Sequence, residues 1–150
     1  KGMVKNVNQP FFGGDTSLIR AVGQGKCAVG IVNHYYLARM QAGASGQNDQ
    51  RLTKTIKLIM PNPAHVNISA AGMAKSATNK KEAIALITFL TSAKGSSSLA
   101  GPTYEYPLNG FGTSSQLNNF GRFTPDNVSI SQLGSTQKRA IQIMANSGWR

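Results

Sequence analysis

Cysteine is almost absent from this chain. Its single example, Cys27, excludes an internal disulfide, and its place at the head of the apolar stretch 27–32 assigns it to packing. Acidic side chains are also few: five Asp and Glu stand against sixteen Lys and Arg, a formal net charge of +11. That excess raises the question of nucleic acid or an anionic surface. The basic residues are scattered, however. The densest clusters, Lys80-Lys81 and Lys138-Arg139, are only pairs, and no basic run is interleaved with aromatics, so the charge reads as a solvated surface. With two histidines and five carboxylates there is no nucleophile–base–acid pattern, paired-carboxylate motif, phosphate loop or zinc spacing, which leaves catalysis the least supported class. No apolar run approaches the roughly 20 residues that span a bilayer; the longest, 83–90, is interrupted by Thr88.

What is present is an α/β pattern of short alternating elements. Asp15 is placed to cap a helix from Thr16 to about Gln24, with Leu18, Ile19 and Val22 on one face and Gly23 and Gly25 ending it. Residues 26–32, β-branched and bounded by glycine, predict a buried strand. A short helix follows, with Leu37 and Met40 on one face and Gly43 as its stop, and then a polar loop over 43–50. Residues 53–60 carry strand propensity up to Pro61-Asn62-Pro63, and 65–73 continue in extended form. Asn79-Lys80-Lys81-Glu82 reads as a capping box for a helix presenting Ala83, Leu86, Ile87 and Leu90. A turn around Leu99, an extended stretch over 104–109 and mostly irregular chain over 109–134 come next. Ser135 is placed to cap a last helix that Asn146 and Gly148 end, and residues 1–14 read as loop.

The chemistry concentrates at the end of the predicted strand 26–32, where Asn33-His34-Tyr35-Tyr36 puts two phenols side by side. In a strand they point to opposite faces; in the first turn of a helix they lie about 100° apart, so that both oxygens can converge on one small target. Phenols are neutral at pH 7 and poor ligands for Mg²⁺ or Ca²⁺, but a more highly charged cation stabilises the phenolate and drives the proton off. Fe³⁺ is the common ion hard enough to do so. Taken alone, two tyrosines beside an apolar run are better explained as core or interface residues with satisfied hydroxyls.

Segment 14–36, then His65-Val66-Asn67-Ile68-Ser69-Ala70-Ala71-Gly72 with the Lys/Ala-rich helix after it, then Tyr104-Glu105-Tyr106-Pro107-Leu108-Asn109 and finally Ser147-Gly148-Trp149-Arg150 resemble, in order, matching regions of periplasmic ferric-ion-binding proteins. The similarity is greatest to the cyanobacterial-type iron(III) substrate-binding proteins of ABC importers. The resemblance implies a bilobed, type II periplasmic-binding-protein-like α/β fold of roughly twice this length. On that reading residues 1–150 are about its C-terminal half, contributing to both lobes. The start at Lys1, without an initiator Met or signal peptide, agrees with an excised piece.

The resemblance further implies that Tyr35 and Tyr36 are ferric ligands, that the remaining ligands come from the N-terminal half, and that Asn33 touches an anion, such as carbonate, sharing the metal. Asp15 sits where some relatives carry an anion-contacting Asn, although a helix cap explains it better. His34 reads as a supporting or surface residue, because adjacent helical positions cannot all face one ion. His65, Tyr104 and Tyr106 read as structural. The function implied is periplasmic Fe³⁺ capture for an ABC permease by a protein that is not an enzyme, is monomeric at full length, is not inserted in the membrane and does not bind nucleic acid. A binding protein for another small anion or a polyamine, and a basic nucleic-acid-binding module, are the alternatives.

Overall fold

The computed structural model describes residues 2–7, 11–107 and 114–149. Its centre is a helical cluster that the apolar spacing around the tyrosines builds. Helix α1 (Gly2–Lys5) is a single turn within the expected loop, and α2 (Asp15–Gly23) buries Ile19 and Ala21. Helix α3 (His34–Gln41) buries Leu37, Ala38 and Met40, three residues whose i, i+1 and i+3 spacing makes one face. Both pack against α4 (Gln47–Thr53), which starts inside the segment expected to be loop and buries Asp49 and Thr53. Val32, Tyr36, Ile56, Leu58 and Phe120 close over the core of Ile19, Leu37 and Met40.

A paired charge pins α2 to α4. The Arg20 guanidinium donates through Nε and one Nη to the two oxygens of Asp49 at 2.8 and 2.7 Å, a bidentate match of planar groups. Thr53 Oγ1 donates to the Asp49 carbonyl one turn earlier, so the buried polar groups of α4 have partners.

The predicted strands do not form among the described residues. Residues 26–32, 55–60 and 65–73 are irregular, with Val29, Ile31 and Ile59 at 75, 69 and 81% exposure, and the one parallel bridge joins Ala64 to Pro125. The physical reason is that an extended segment becomes a strand only with a neighbour to complete its ladder. Segment 26–32 instead runs over α2. At Gly30 an added Cβ would sit 3.0 Å from Leu18 Cγ and 3.3 Å from Val22 Cγ2, so glycine permits the close pass.

The second half is a looser set of helices. Helix α5 (Lys80–Thr91) starts where expected, but Asn79 makes no side-chain cap bond, so the capping box is absent. Helix α6 (Ala93–Thr103) replaces the expected turn at Leu99, capped by Ser92 Oγ accepting from the Gly95 N–H, and packs against α5. Helix α7 (Ser115–Phe120), in chain expected to be irregular, is capped by Ser114 and packs its buried Leu117 side against α3. Helix α8 (Ile130–Asn146) begins six residues earlier than a cap at Ser135 would place it: Ser129 and Gln132 make a reciprocal capping box. Ser135 lies inside the helix and donates back to the Gln132 carbonyl. Part of the expected 104–109 stretch lies outside the described residues; within it, Tyr104 is left-handed (φ 59°) and 105–107 are irregular.

Met40 is 1% exposed at the centre of the cluster. Met40→Ala is expected to destabilise the protein by about 2–5 kcal/mol, the range for truncating a buried large aliphatic side chain, as read by chemical unfolding.

Asp49 supplies a second test. Its hydrogen bonds from Arg20 hold the carboxyl below the ordinary carboxylate range. That stabilisation is complete above the unfolded-state pKa and is lost as pH falls through the lowered folded value. Arg20→Met is therefore expected to flatten the loss of thermal stability on acidification, measured as Tm against pH.

Candidate metal site

The site begins where segment 26–32 ends. Asn33 is extended (φ −71°, ψ 133°) and precedes α3 without bonding to it through its side chain. Its backbone N–H and its Nδ2 donate instead to one oxygen of Asp15, at 2.9 and 3.1 Å. Asp15 is thus not the N-cap of α2, a position Gly14 holds; it lies in the first turn and spends its carboxylate on tying the start of α2 to the start of α3. The backbone N–H of Asn33 and a hydrogen of its amide are given to a carboxylate of the chain itself. The Oδ1 of Asn33 accepts from Asn67 Nδ2 at 3.4 Å, and two residues on, Ser69 Oγ donates to Glu105 at 2.9 Å.

Tyr35 and Tyr36 follow in the first turn of α3, both half-buried. Despite their angular offset around the helix, the rings lie 4.6 Å apart at 38°, close enough for the two phenols to influence one another electrostatically. The structure therefore brings together the two phenols that the sequence singles out. Tyr36 packs on the core, with the Arg39 guanidinium 6.0 Å from its ring centroid. It also walls a shallow groove of about 370 Å³ along residues 13–17. A larger hollow of about 610 Å³ beside Arg20, along residues 45–49, holds neither tyrosine.

The electrostatics favour neutral phenol in the absence of a cation. Burial, the neighbouring Tyr36, and the carboxylates of Asp15 and Glu105 all push the Tyr35 pKa above its ordinary value. Burial pushes the His34 imidazole below its ordinary value, offset in part by the Tyr104 carbonyl and Glu105. Among the described residues no three His, Cys, Asp or Glu side chains cluster to hold a metal. The paired rings of Tyr35 and Tyr36 accordingly carry the candidate oxygen donors for a hard, highly charged cation.

His65 is remote in role, its Nδ1 2.8 Å from Asp126 beside the Ala64–Pro125 bridge. Sequence reasoning did not find the Asp15–Asn33 clasp or the placing of Glu105 near Tyr35. Partners 18 and 70 positions apart leave no local pattern.

The fold around this site is that of ferric-binding proteins. The chain superposes on a ferric binding protein from Campylobacter jejuni with a TM-score of 0.89 at 27% identity, over 99% of this chain and 48% of the other. For a Bordetella ferric binding protein the values are 0.83 and 29%, over 91% and 45%. No family profile matches the chain.

Individual relatives agree with the fold. The chain is 32% identical to iron uptake protein A1 of Synechocystis sp. over its whole length and 43% of that protein, and 32% identical to iron uptake protein A2 of the same organism over 45% of that protein. The major ferric iron-binding protein of Neisseria meningitidis serogroup B is 31% identical over 73% of this chain. The chain is a homologue of these iron-uptake and ferric-binding proteins, and it spans a little under half the length of the two Synechocystis relatives.

Replacing Asp15 by Asn keeps an oxygen acceptor for Asn33 and removes a negative charge near Tyr35. Asp15→Asn is expected to lower the pH at which Tyr35 ionises. This is read as the ultraviolet phenolate signal that disappears in a matched Tyr35→Phe protein; an unmoved midpoint contradicts the electrostatic coupling.

Proposed function

We propose that this chain captures Fe³⁺ through the phenolates of Tyr35 and Tyr36 and serves periplasmic delivery of the ion to an ABC importer. The observation that carries the reading is the closely paired phenol rings at the start of α3, 4.6 Å apart, in a chain homologous along its whole length to ferric-binding and iron-uptake proteins. The same relationships support reading residues 1–150 as about the C-terminal half of a bilobed binding protein, contributing to both lobes, with further ligands outside this chain.

The chemistry follows from charge. Fe³⁺ replaces the proton of each phenol, so binding releases protons and weakens as pH falls. Asp15 and Glu105 make the free phenolate at Tyr35 costlier. They also favour a cation of high charge once it arrives, because the same negative field attracts it. Reduction to Fe²⁺ lowers the charge that holds the phenolates ionised and provides a route to release. Asn33 is tied by two hydrogen bonds to Asp15, one of the carboxylates that act on Tyr35. An anion such as carbonate sharing the ion would meet an Asn33 whose backbone N–H and one amide hydrogen are given to that carboxylate, leaving the second amide hydrogen to serve it. Delivery requires an ABC-transporter permease as partner; no helix among the described residues is long and apolar enough to cross a membrane.

The test is titration of the intact protein with chelated Fe³⁺, followed by visible absorption. Wild type is expected to develop a phenolate-to-iron charge-transfer band, with release of on the order of two protons per ion. Tyr36→Phe is expected to abolish the band or weaken binding by more than about a hundredfold, beyond the range for outer-shell partners. Unchanged colour and affinity in both Tyr35→Phe and Tyr36→Phe return the pair to the role of core aromatics.

A further inference from the structure

The residue before the phenol pair is tied down on two sides. His34 Nε2 lies 3.0 Å from the Tyr104 carbonyl. A carbonyl oxygen only accepts, so Nε2 carries the hydrogen and donates. The imidazole stands edge-on to Tyr35, with centroids 5.7 Å apart at 78°, and its opposite neighbour is Tyr106, 5.0 Å away at 46°. Tyr106 is itself held: its hydroxyl donates to the Gly121 carbonyl at 2.9 Å, with the Leu117 carbonyl at 3.4 Å, and its ring meets Phe123 edge-on at 5.1 Å. Leu117 is 1% exposed on α7, which packs against α3. The contacts therefore close a loop from α3 through His34, Tyr106 and α7 back to α3. The phenol pair stands at the end of an aromatic row, Tyr36–Tyr35–His34–Tyr106–Phe123.

We propose that His34 and Tyr106 are positioning residues for the phenol pair, holding the Tyr35 ring in the orientation from which its oxygen meets the ion. For a phenolate ligand this orientation matters because overlap between the oxygen lone pairs and the metal changes as the ring turns. A ring braced on one side by an immobilised imidazole is pre-organised before the ion arrives, and less order is lost on binding. Tyr104 contributes its backbone carbonyl and Tyr106 its ring, so neither needs to touch the ion. The proposal rests on the Fe³⁺ reading for its functional consequence but not for its geometry.

The experiment compares His34→Leu, His34→Gln and Tyr106→Phe in the intact protein. The His34→Gln side chain keeps an Nε2 donor at similar reach, His34→Leu keeps bulk alone, and Tyr106→Phe keeps the ring without the bond to Gly121. The iron-free readout is the ring-proton NMR signals of Tyr35, assigned by their loss in Tyr35→Phe. The loaded readouts are the charge-transfer maximum and the rate at which a competing chelator removes Fe³⁺.

His34→Leu is expected to move the Tyr35 signals, shift the band and speed iron loss by about 10- to 100-fold. His34→Gln, which keeps the bond to the Tyr104 carbonyl without the ring, is expected to bring the band and the rate of iron loss part of the way back, and Tyr106→Phe to give the same shifts as His34→Leu to a smaller extent. Unmoved Tyr35 signals in His34→Leu overturn the proposal, as does a His34→Gln protein that matches His34→Leu. The absence of any charge-transfer band in wild type instead defeats the Fe³⁺ reading, and the iron-free signals then still decide whether His34 orients Tyr35.

Discussion

The arrangement at the start of α3 depends on one carboxylate. Asp15 takes the backbone N–H and the side-chain amide of the same residue, Asn33, and so fixes where the extended chain stops and the helix starts. With that point set, helical geometry does the rest. Leu37 and Met40 turn into the core, and the preceding turn leaves Tyr35 and Tyr36 at its edge with their rings together. The bidentate Arg20–Asp49 pair keeps α2 seated on α4 while the other end of α2 holds Asn33. One helix is anchored at both ends, and the phenols inherit its position.

The same carboxylate also contributes to the chemistry. A phenol that is half-buried, beside a second phenol and overlooked by Asp15 and Glu105 is held in its neutral form in the absence of a cation. On the proposed Fe³⁺ reading, the environment that suppresses spontaneous ionisation rewards a trivalent ion more than a divalent one, since the benefit scales with the charge brought in. Selectivity would then come from what it costs to prepare the ligand.

The sequence was legible where one element's own residues decide the outcome. The α3 face, the α2 spacing, the start of α5 and the glycine-marked ends at Gly25, Gly43 and Gly148, all at positive φ, follow from local periodicity and backbone freedom. The adjacent phenols were legible as a candidate site for the same reason. Strands were not, because Val29, Ile31 and Ile59 have the right side chains and no ladder partner among the described residues. Helices α6 and α7 hid in Ser-, Gly- and Asn-rich sequence because serine caps at Ser92 and Ser114 and packing, on α5 and on α3, outweigh weak propensity. The bracing of His34 by Tyr104 spans seventy positions and exists only once the chain is folded.

The uncovered apolar edges bear on how such a chain behaves in solution. Irregular segments that have no ladder partner among the described residues and expose side chains such as Val29, Ile31 and Ile59 offer a template for another copy to add to. The counterweight is the charge of +11: like-charged copies repel before those edges meet. This protection is colloidal rather than structural. It reaches only about a Debye length, near 10 Å at 0.1 M salt, so ionic strength governs whether the chain stays dispersed.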